Sequence, residues 1–152
     1  MQISSRFTIA IHVLICIEAL KDSKKLTSDL LATSVNVNPV VIRKLLQQLK
    51  NADIVNVVRG SGGAKIARPL DEITLLDIYN AVECVENGNL FHFHENPNEH
   101  CPIGKNIHNI LDEELATIQK AMENEMKSVT VADIMKKSYP LLEAEIKNGC
   151  NH

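Results

Sequence analysis

Residues 35–69 read VNVNPVVIRKLLQQLKNADIVNVVRGSGGAKIARP, and two different periodicities inside this stretch decide the fold. Asn36-Val37-Asn38 is a turn, and Pro39 follows where a first helical turn wants it, because its missing N–H would be unpaired there anyway. Val41, Ile42, Leu45, Leu46 and Leu49 then recur at the 3–4 spacing of a helix with one buried stripe. Arg43, Lys44, Gln47, Gln48 and Lys50 fall mostly on the opposite face. At Ile54 the pattern changes to a run rich in β-branched residues that ends at Val58. It meets Arg59-Gly60-Ser61-Gly62-Gly63 and returns through Lys65-Ile66-Ala67, which predicts two strands joined by a glycine-rich tip.

A helix, a short turn and a hairpin with a basic tip make the winged form of the helix-turn-helix. Such a helix enters a major groove with its N-terminal half. That puts forward Asn38, Pro39, Val40, Arg43, Lys44 and Gln47 as contacts to duplex DNA. The wing offers Arg59, Gly60, Ser61, Gly62, Gly63 and Lys65 to the backbone or minor groove, since glycines leave no side chain in the way. Upstream, Leu26 to Ala32 begins the companion helix with Thr27 as its N-cap. Thr27 and Ser28 are further candidates for phosphate contact, through their hydroxyls or the helix N-terminus. The plain alternative is a solvated helix face beside an ordinary surface hairpin.

Charge placement favours the DNA reading. The chain carries a formal charge of -3, yet residues 37–68 hold Arg43, Lys44, Lys50, Arg59, Lys65 and Arg68 against Asp53 alone, a net of +5. Residues 1–36 hold four basic and three acidic groups, and residues 69–152 hold six basic against fifteen acidic ones. A basic island in an acidic chain is the electrostatic footprint that phosphate contact requires.

The remainder is built mainly from helices. With 152 residues, 45% of them hydrophobic, the chain suffices for one domain or a small domain with an appendage. Aromatics are only 3% and Trp is absent, which argues against a single-stranded nucleic-acid binder built on stacking platforms. Phe7 to Leu20 is apolar or small almost throughout; its length favours a buried helix from Ser4 to Lys21, with His12 and Cys16 in or near the core. It is too short to span a bilayer, and no Ala-x-Ala-like cleavage site follows. A cytoplasmic protein with no membrane contact is therefore expected, and the four cysteines, Cys16, Cys84, Cys101 and Cys150, are expected to be reduced thiols. Thr74 caps a helix from Leu75 to Val85. Residues 86–101 lose all periodicity, and Pro102 opens a long amphipathic helix whose stripe (Ile107, Ile110, Leu111, Leu115, Ile118, Met122, Met126) calls for a second copy of the chain. A short helix from Val131 to Lys137 and a frayed tail complete the expectation. The organisation expected is thus a winged helix-turn-helix DNA-binding domain at 1–85, a sensor loop at 86–103, and a dimerisation helix with tail at 104–152.

These elements, in this order and wording, resemble the Rrf2 family of bacterial transcription regulators over nearly the full length. The resemblance rests on Ser4-Ser5-Arg6-Phe7, Val37-Asn38-Pro39-Val40-Val41-Ile42-Arg43-Lys44-Leu45, Val58-Arg59-Gly60-Ser61-Gly62-Gly63-Ala64, Ile73-Thr74-Leu75-Leu76-Asp77-Ile78 and Cys101-Pro102-Ile103-Gly104. It implies a homodimeric winged-helix regulator of double-stranded DNA, a repressor or activator. Many members hold a [2Fe–2S] cluster on three closely spaced cysteines in the loop before the dimer helix. Here that loop contains only Cys101, so no cofactor is expected and the chain looks closer to the cluster-free, thiol-based branch.

Three other uses of the sequence stand beside this one. Cys101, as cap of the helix that Pro102 opens, gains thiolate character from the helix N-terminus and from a protonated His100, which points to redox sensing with Cys16, Cys84 or Cys150 as resolving thiol. His92, His94, His100 and Cys101 are the weak candidates for a metal or iron–sulfur site in the same loop. A winged-helix protein-interaction module is the remaining alternative. No GxSxG, Walker, dinucleotide or HExxH pattern occurs, so no enzymatic activity is expected.

Overall fold

The computed structural model of the chain describes residues 4–60, 62–82 and 88–147. Among the described residues, six helices and one hairpin follow in the order α1 (Ser5–Leu20), α2 (Ser28–Val35), α3 (Pro39–Asn51), β1 (Val55–Val58), β2 (Gly63–Ile66), α4 (Leu75–Val82), α5 (Pro102–Ser128) and α6 (Val131–Lys147). A short 3-10 turn, Leu70–Glu72, leads into α4. The mainly helical fold with one antiparallel hairpin is the one the periodicities imply.

Helix α1 forms because its apolar residues cover nearly the whole circumference, so it can be stable only when surrounded. It packs against α2, α4, α6 and β2, burying Phe7, Ala10, Val13, Leu14, Cys16 and Ile17. The Ser4 hydroxyl caps its N-terminus by accepting from the Arg6 N–H at 3.1 Å. At the other end the buried Glu18 carboxylate accepts from Lys21 Nζ at 2.6 Å, which raises the Lys21 ammonium above its usual range. His12, expected near the core, is exposed. It lies four residues before Cys16 but on the rim of the α1–α2 contact, where its Nε2 is 3.5 Å from the Ser34 hydroxyl.

The helix-turn-helix itself is set by three local devices. Thr27 Oγ1 accepts from the Leu30 N–H at 3.3 Å and starts α2. Asn36 takes the left-handed conformation (φ 59°) that ends it, a geometry Asn tolerates because its short amide bonds locally. Asn38 Oδ1 then accepts from the Val40 N–H at 2.9 Å and, with Pro39 at the first helical position, starts α3. Ile42, Leu45, Leu46 and Leu49 turn inward, the stripe read from the sequence.

The C-terminal third differs from expectation. Helix α6 runs from Val131 to Lys147, straight through Pro140, and is not the short helix to Lys137. A proline in a helix interior forfeits one hydrogen bond and reads as a stop, but α6 buries Val131 and Met135 and packs on α1 and the 3-10 turn. That tertiary burial outweighs the local penalty. Its start is clamped to the start of α4: Leu75 N–H donates to Val129 O at 2.9 Å and Val131 N–H to Ile73 O at 2.8 Å. Each helix carries a reciprocal cap, Thr74 with Asp77 and Thr130 with Asp133. The expected end of α4 at Val85 lies outside the described residues. Among the described residues no helix is long and apolar enough to cross a membrane.

Candidate nucleic-acid interface

Helix α3 presents Val40, Arg43, Lys44 and Gln47 to solvent along one face, Val40 with 62% of its surface exposed. Val40, exposed beside two cations, offers an apolar contact of the kind a thymine methyl accepts. Arg43 Nη2 is 3.4 Å from Asp29 of α2, both side chains well exposed, so the pair is weak and easily given up. Gln47 Nε2 donates to Asn51 Oδ1 at 2.9 Å. Asn38 and Pro39 serve the start of α3 first: the Asn38 amide oxygen is occupied by its cap, leaving its NH2 donors.

The hairpin stands beside this face. Val55 pairs with Ile66, Asn56 with Lys65, Val57 with Ala64 and Val58 with Gly63. The glycines have different reasons to be there. Gly60 (φ +82°) turns the tip in open space, with nothing within 4 Å of where a Cβ would sit. A Cβ on Gly62 would stand 2.3 Å from that of Val58. Gly63 (φ +68°) is buried, and a Cβ there would meet the Leu26 backbone at 2.8 Å. At this closest approach the Ala64 N–H donates to Leu26 O at 2.9 Å, pinning the wing to the segment that opens α2. Gly63 thus acts by positioning the wing, while Arg59 and Gly60 are exposed at its tip. Ser61 lies outside the described residues.

Between α3 and the wing is a cleft of about 490 Å3, lined by Thr27, Ser28, Arg43, Gln47, Lys50 and Arg59 among others. Lys50, not put forward from the sequence, belongs here with the named contacts; its place in the last turn of α3 was the available signal. Lys65 is not in this cleft. It lines a second one on the hairpin with Lys21, Lys24, Lys25 and Arg68. Sequence reasoning also missed Arg6, whose Nη2 donates to Gln48 Oε1 at 2.6 Å and ties the start of α1 to α3.

The proposed sensor loop lies far along the chain from this surface and is held to α5. Gln119 Oε1 accepts from the Leu90 N–H at 3.1 Å while its Nε2 donates to Gly88 O at 2.7 Å. Phe93 packs at a tilt of 40° against His108, ring centroids 4.3 Å apart, and Gly104 lets the Asn98 carbonyl approach so closely that a Cβ would stand 2.4 Å from it. Cys101 is half-buried at the N-cap of α5, without a regular capping hydrogen bond from its side chain. The N–H groups of Gly104 and then Ile103 nevertheless hold its thiol below the ordinary value of 9.0. Cys16 is buried in α1, 3.2 Å from the Ser34 hydroxyl; Cys84 and Cys150 lie outside the described residues.

Cys101 is the one cysteine of this loop, and three closely spaced thiols of a conventional iron–sulfur cluster are not found among its described residues. The described part of the loop supplies one thiol, and His92, His94 and His100 are exposed. Among the described residues no three His, Cys, Asp or Glu side chains gather closely enough to share a metal ion.

Comparison with known proteins agrees with this geometry. Residues 3–137 match the Rrf2 family, described as iron-dependent transcriptional regulators. The chain is 44% identical over 133 residues to Bacillus subtilis YwnA, named as an HTH-type transcriptional regulator, covering 88% of this chain and 96% of that one. A crystal structure titled as a DNA-binding protein superposes with a TM-score of 0.68 at 39% identity, covering 86% of this chain and 99% of the other. A regulator from Lactobacillus plantarum shares the fold at a TM-score of 0.74 and 23% identity, covering 95% and 98%. The helix-turn-helix, the pinned wing and the family match together place this chain: it belongs to the Rrf2 family of transcriptional regulators.

Proposed function

We propose that the protein is a sequence-specific, double-stranded-DNA-binding repressor that acts as a homodimer. The observation that carries the DNA contact is the cleft between α3 and the wing, whose lining gathers Arg43, Lys50 and Arg59 and no acidic residue, Asp29 meeting Arg43 only in an exposed pair at its edge, in a chain of net charge -3. Val40, Arg43, Lys44 and Gln47 read base edges, Thr27 and Ser28 meet phosphates at the start of α2, and Arg59 with the tip enters the minor groove. The dimer is supported by α5: 27 residues, about 40 Å long, with none buried in the single chain. Ile103, Ile110, Leu111 and Ile118 are exposed along it, and a second α5 is the partner that suits such a stripe. A two-fold pair then presents two recognition helices to half-sites about one helical turn apart.

Selection of duplexes from a random pool, followed by footprinting, tests this. Two half-sites about 10 base pairs apart are expected; one unpaired site, or no enriched sequence, would contradict it. In sedimentation, Ile110→Glu with Ile118→Glu should convert dimer to monomer.

The signal assigned to the protein is oxidation of Cys101, without a cluster. The thiolate attacks a hydroperoxide oxygen, an S–O bond forms as the O–O bond breaks, and sulfur becomes sulfenic acid while the leaving oxygen takes the proton as water or alcohol. The change falls at the start of α5, where it alters the relation of the two wings. DNA release by peroxide in the wild type and not in Cys101→Ser is the expected result. Equal release in both would remove Cys101 from the mechanism.

A further inference from the structure

The hairpin has a second basic flank that the sequence signature does not single out. The cleft of about 890 Å3 between the α1–α2 turn, β2 and the segment after it is lined by Lys21, Lys24, Lys25, Lys65 and Arg68 against Glu18 and Asp22, a net of +3. The recognition cleft, with Arg43, Lys50 and Arg59, also carries +3. The lining residues of the two clefts thus sum to +6 in a chain of net -3, and remain +4 when Asp29 and Asp77, paired with Arg43 and Arg68, are counted with them. Positive charge of this size on both sides of a wing exceeds what solubility asks for and suits a polyanion that passes both flanks.

Not every cation in the second cleft is available. Lys21 is committed to Glu18 at 2.6 Å, and Arg68 Nη2 faces Asp77 at 3.9 Å. Lys25 and Lys65 are exposed and make no ion pair among the described residues. They come from segments held together by the Ala64–Leu26 hydrogen bond: Lys25 directly precedes Leu26, and Lys65 directly follows Ala64. Leu26 and Ala64 line both clefts, so the Lys25–Lys65 pair is continuous with Thr27 and Ser28.

We propose that the second cleft is a phosphate-backbone track: Lys25 and Lys65 grip the DNA backbone on the flank of the wing away from α3, beyond the half-site that α3 reads. This rests on the DNA-binding reading and extends it. The track is sequence-blind, since both groups are ammonium point charges on flexible stems and neither brings a planar, bidentate donor set to a base edge. It also gives the Gly63–Leu26 approach a function, because that contact sets the distance between the two lysines and the recognition helix.

The test uses the full-length protein with Lys25→Gln and Lys65→Gln together, and Lys136→Gln with Lys137→Gln as a control of equal charge change on α6. Affinity for a duplex selected by the wild type is measured against salt, and phosphates are replaced singly by neutral methylphosphonates. The salt slope should fall by about 0.9 for each phosphate that is no longer neutralised, so by about 3 to 4 for the dimer. Affinity for selected and scrambled duplexes should fall by the same factor. One tract of methylphosphonate-sensitive positions should vanish while the tract dependent on Arg43 and Arg59 remains. An unchanged slope and map in the Lys25/Lys65 variant, with Arg43→Ala still impaired, would overturn the track and leave the recognition surface standing. Loss of inorganic-phosphate binding without any change in duplex binding would also overturn it and make the cleft a small-anion site. A wild type that binds no duplex would remove both readings.

Discussion

Replacing Gly63 by Ala tests how the wing is positioned, and Gly60 supplies an internal standard. Both glycines have positive φ, +82° at Gly60 and +68° at Gly63, so an alanine at either pays the left-handed penalty of about 1–2 kcal/mol. At Gly60 nothing else is within 4 Å, and the cost ends there. At Gly63 the new Cβ would lie 2.8 Å from Leu26 N and 3.0 Å from Leu26 O, both backbone atoms that cannot swing aside. The hairpin must back away, weakening the 2.9 Å bond from Ala64 N–H to Leu26 O, worth about 0.5–1.5 kcal/mol, and loosening the packing around the buried Ala64. The sum is about 2–4 kcal/mol for Gly63→Ala against about 1–2 for Gly60→Ala. For a domain of this size each kcal/mol moves Tm by about 2–4 °C. Thermal unfolding followed by circular dichroism should show a drop for Gly63→Ala roughly twice that for Gly60→Ala. Duplex affinity measured well below both midpoints should fall more for Gly63→Ala, because the wing is displaced from α3. Equal losses in the two variants would show that the close approach to Leu26 does not position the wing.

Arg43→Ala should cost about 1–3 kcal/mol of discrimination between selected and scrambled duplexes, while stability moves by less than about 0.5 kcal/mol, the Asp29 pair being exposed; anisotropy titrations and a melting curve check both. Asp133 is held below its ordinary 3.8 by the Thr130 N–H and then the Thr130 hydroxyl. A depressed carboxylate stabilises above the unfolded value and loses that contribution as pH falls through the folded one, so Asp133→Asn should destabilise near neutrality and approach the wild type as pH falls below 3.8. Parallel Tm-against-pH curves would show that the Thr130–Asp133 cap contributes nothing. Alkylation of Cys101 by iodoacetamide, followed by peptide mass mapping, should have a pH midpoint below 9.0, as the Gly104 and Ile103 N–H groups favour the thiolate; a midpoint at or above that value would deny their influence.

What could be read from the sequence was what neighbouring residues decide. The caps at Thr27 and Thr74, Pro39 in the first turn of α3 and its apolar stripe, the two strands and the start of α5 at Pro102 all depend on residues close together in the chain; at Asn38 the sequence indicates only a turn, not the cap. The clamp between the starts of α4 and α6 joins residues more than fifty positions apart, Thr74 and Thr130, and nothing local announces it. Helix α6, held at its start by that clamp, runs through Pro140 to Lys147 and is longer than expected. The exposure of His12 was hidden because α1 is apolar nearly all round, leaving periodicity no face to identify. For the interface, the sequence grouped Lys65 with the wing tip; only the folded hairpin shows that it shares a cleft with Lys25 and not with Arg43.

The most direct measurement is an anisotropy titration of the dimeric protein against a duplex selected from a random pool and against its scrambled form, each at several salt concentrations. The expected result is salt-dependent binding to both, with the selected duplex preferred by roughly 10^3-fold or more, and with that preference reduced in Arg43→Ala. Equal affinity for the two duplexes, or no binding to either, would contradict a DNA-reading role for α3 and the wing.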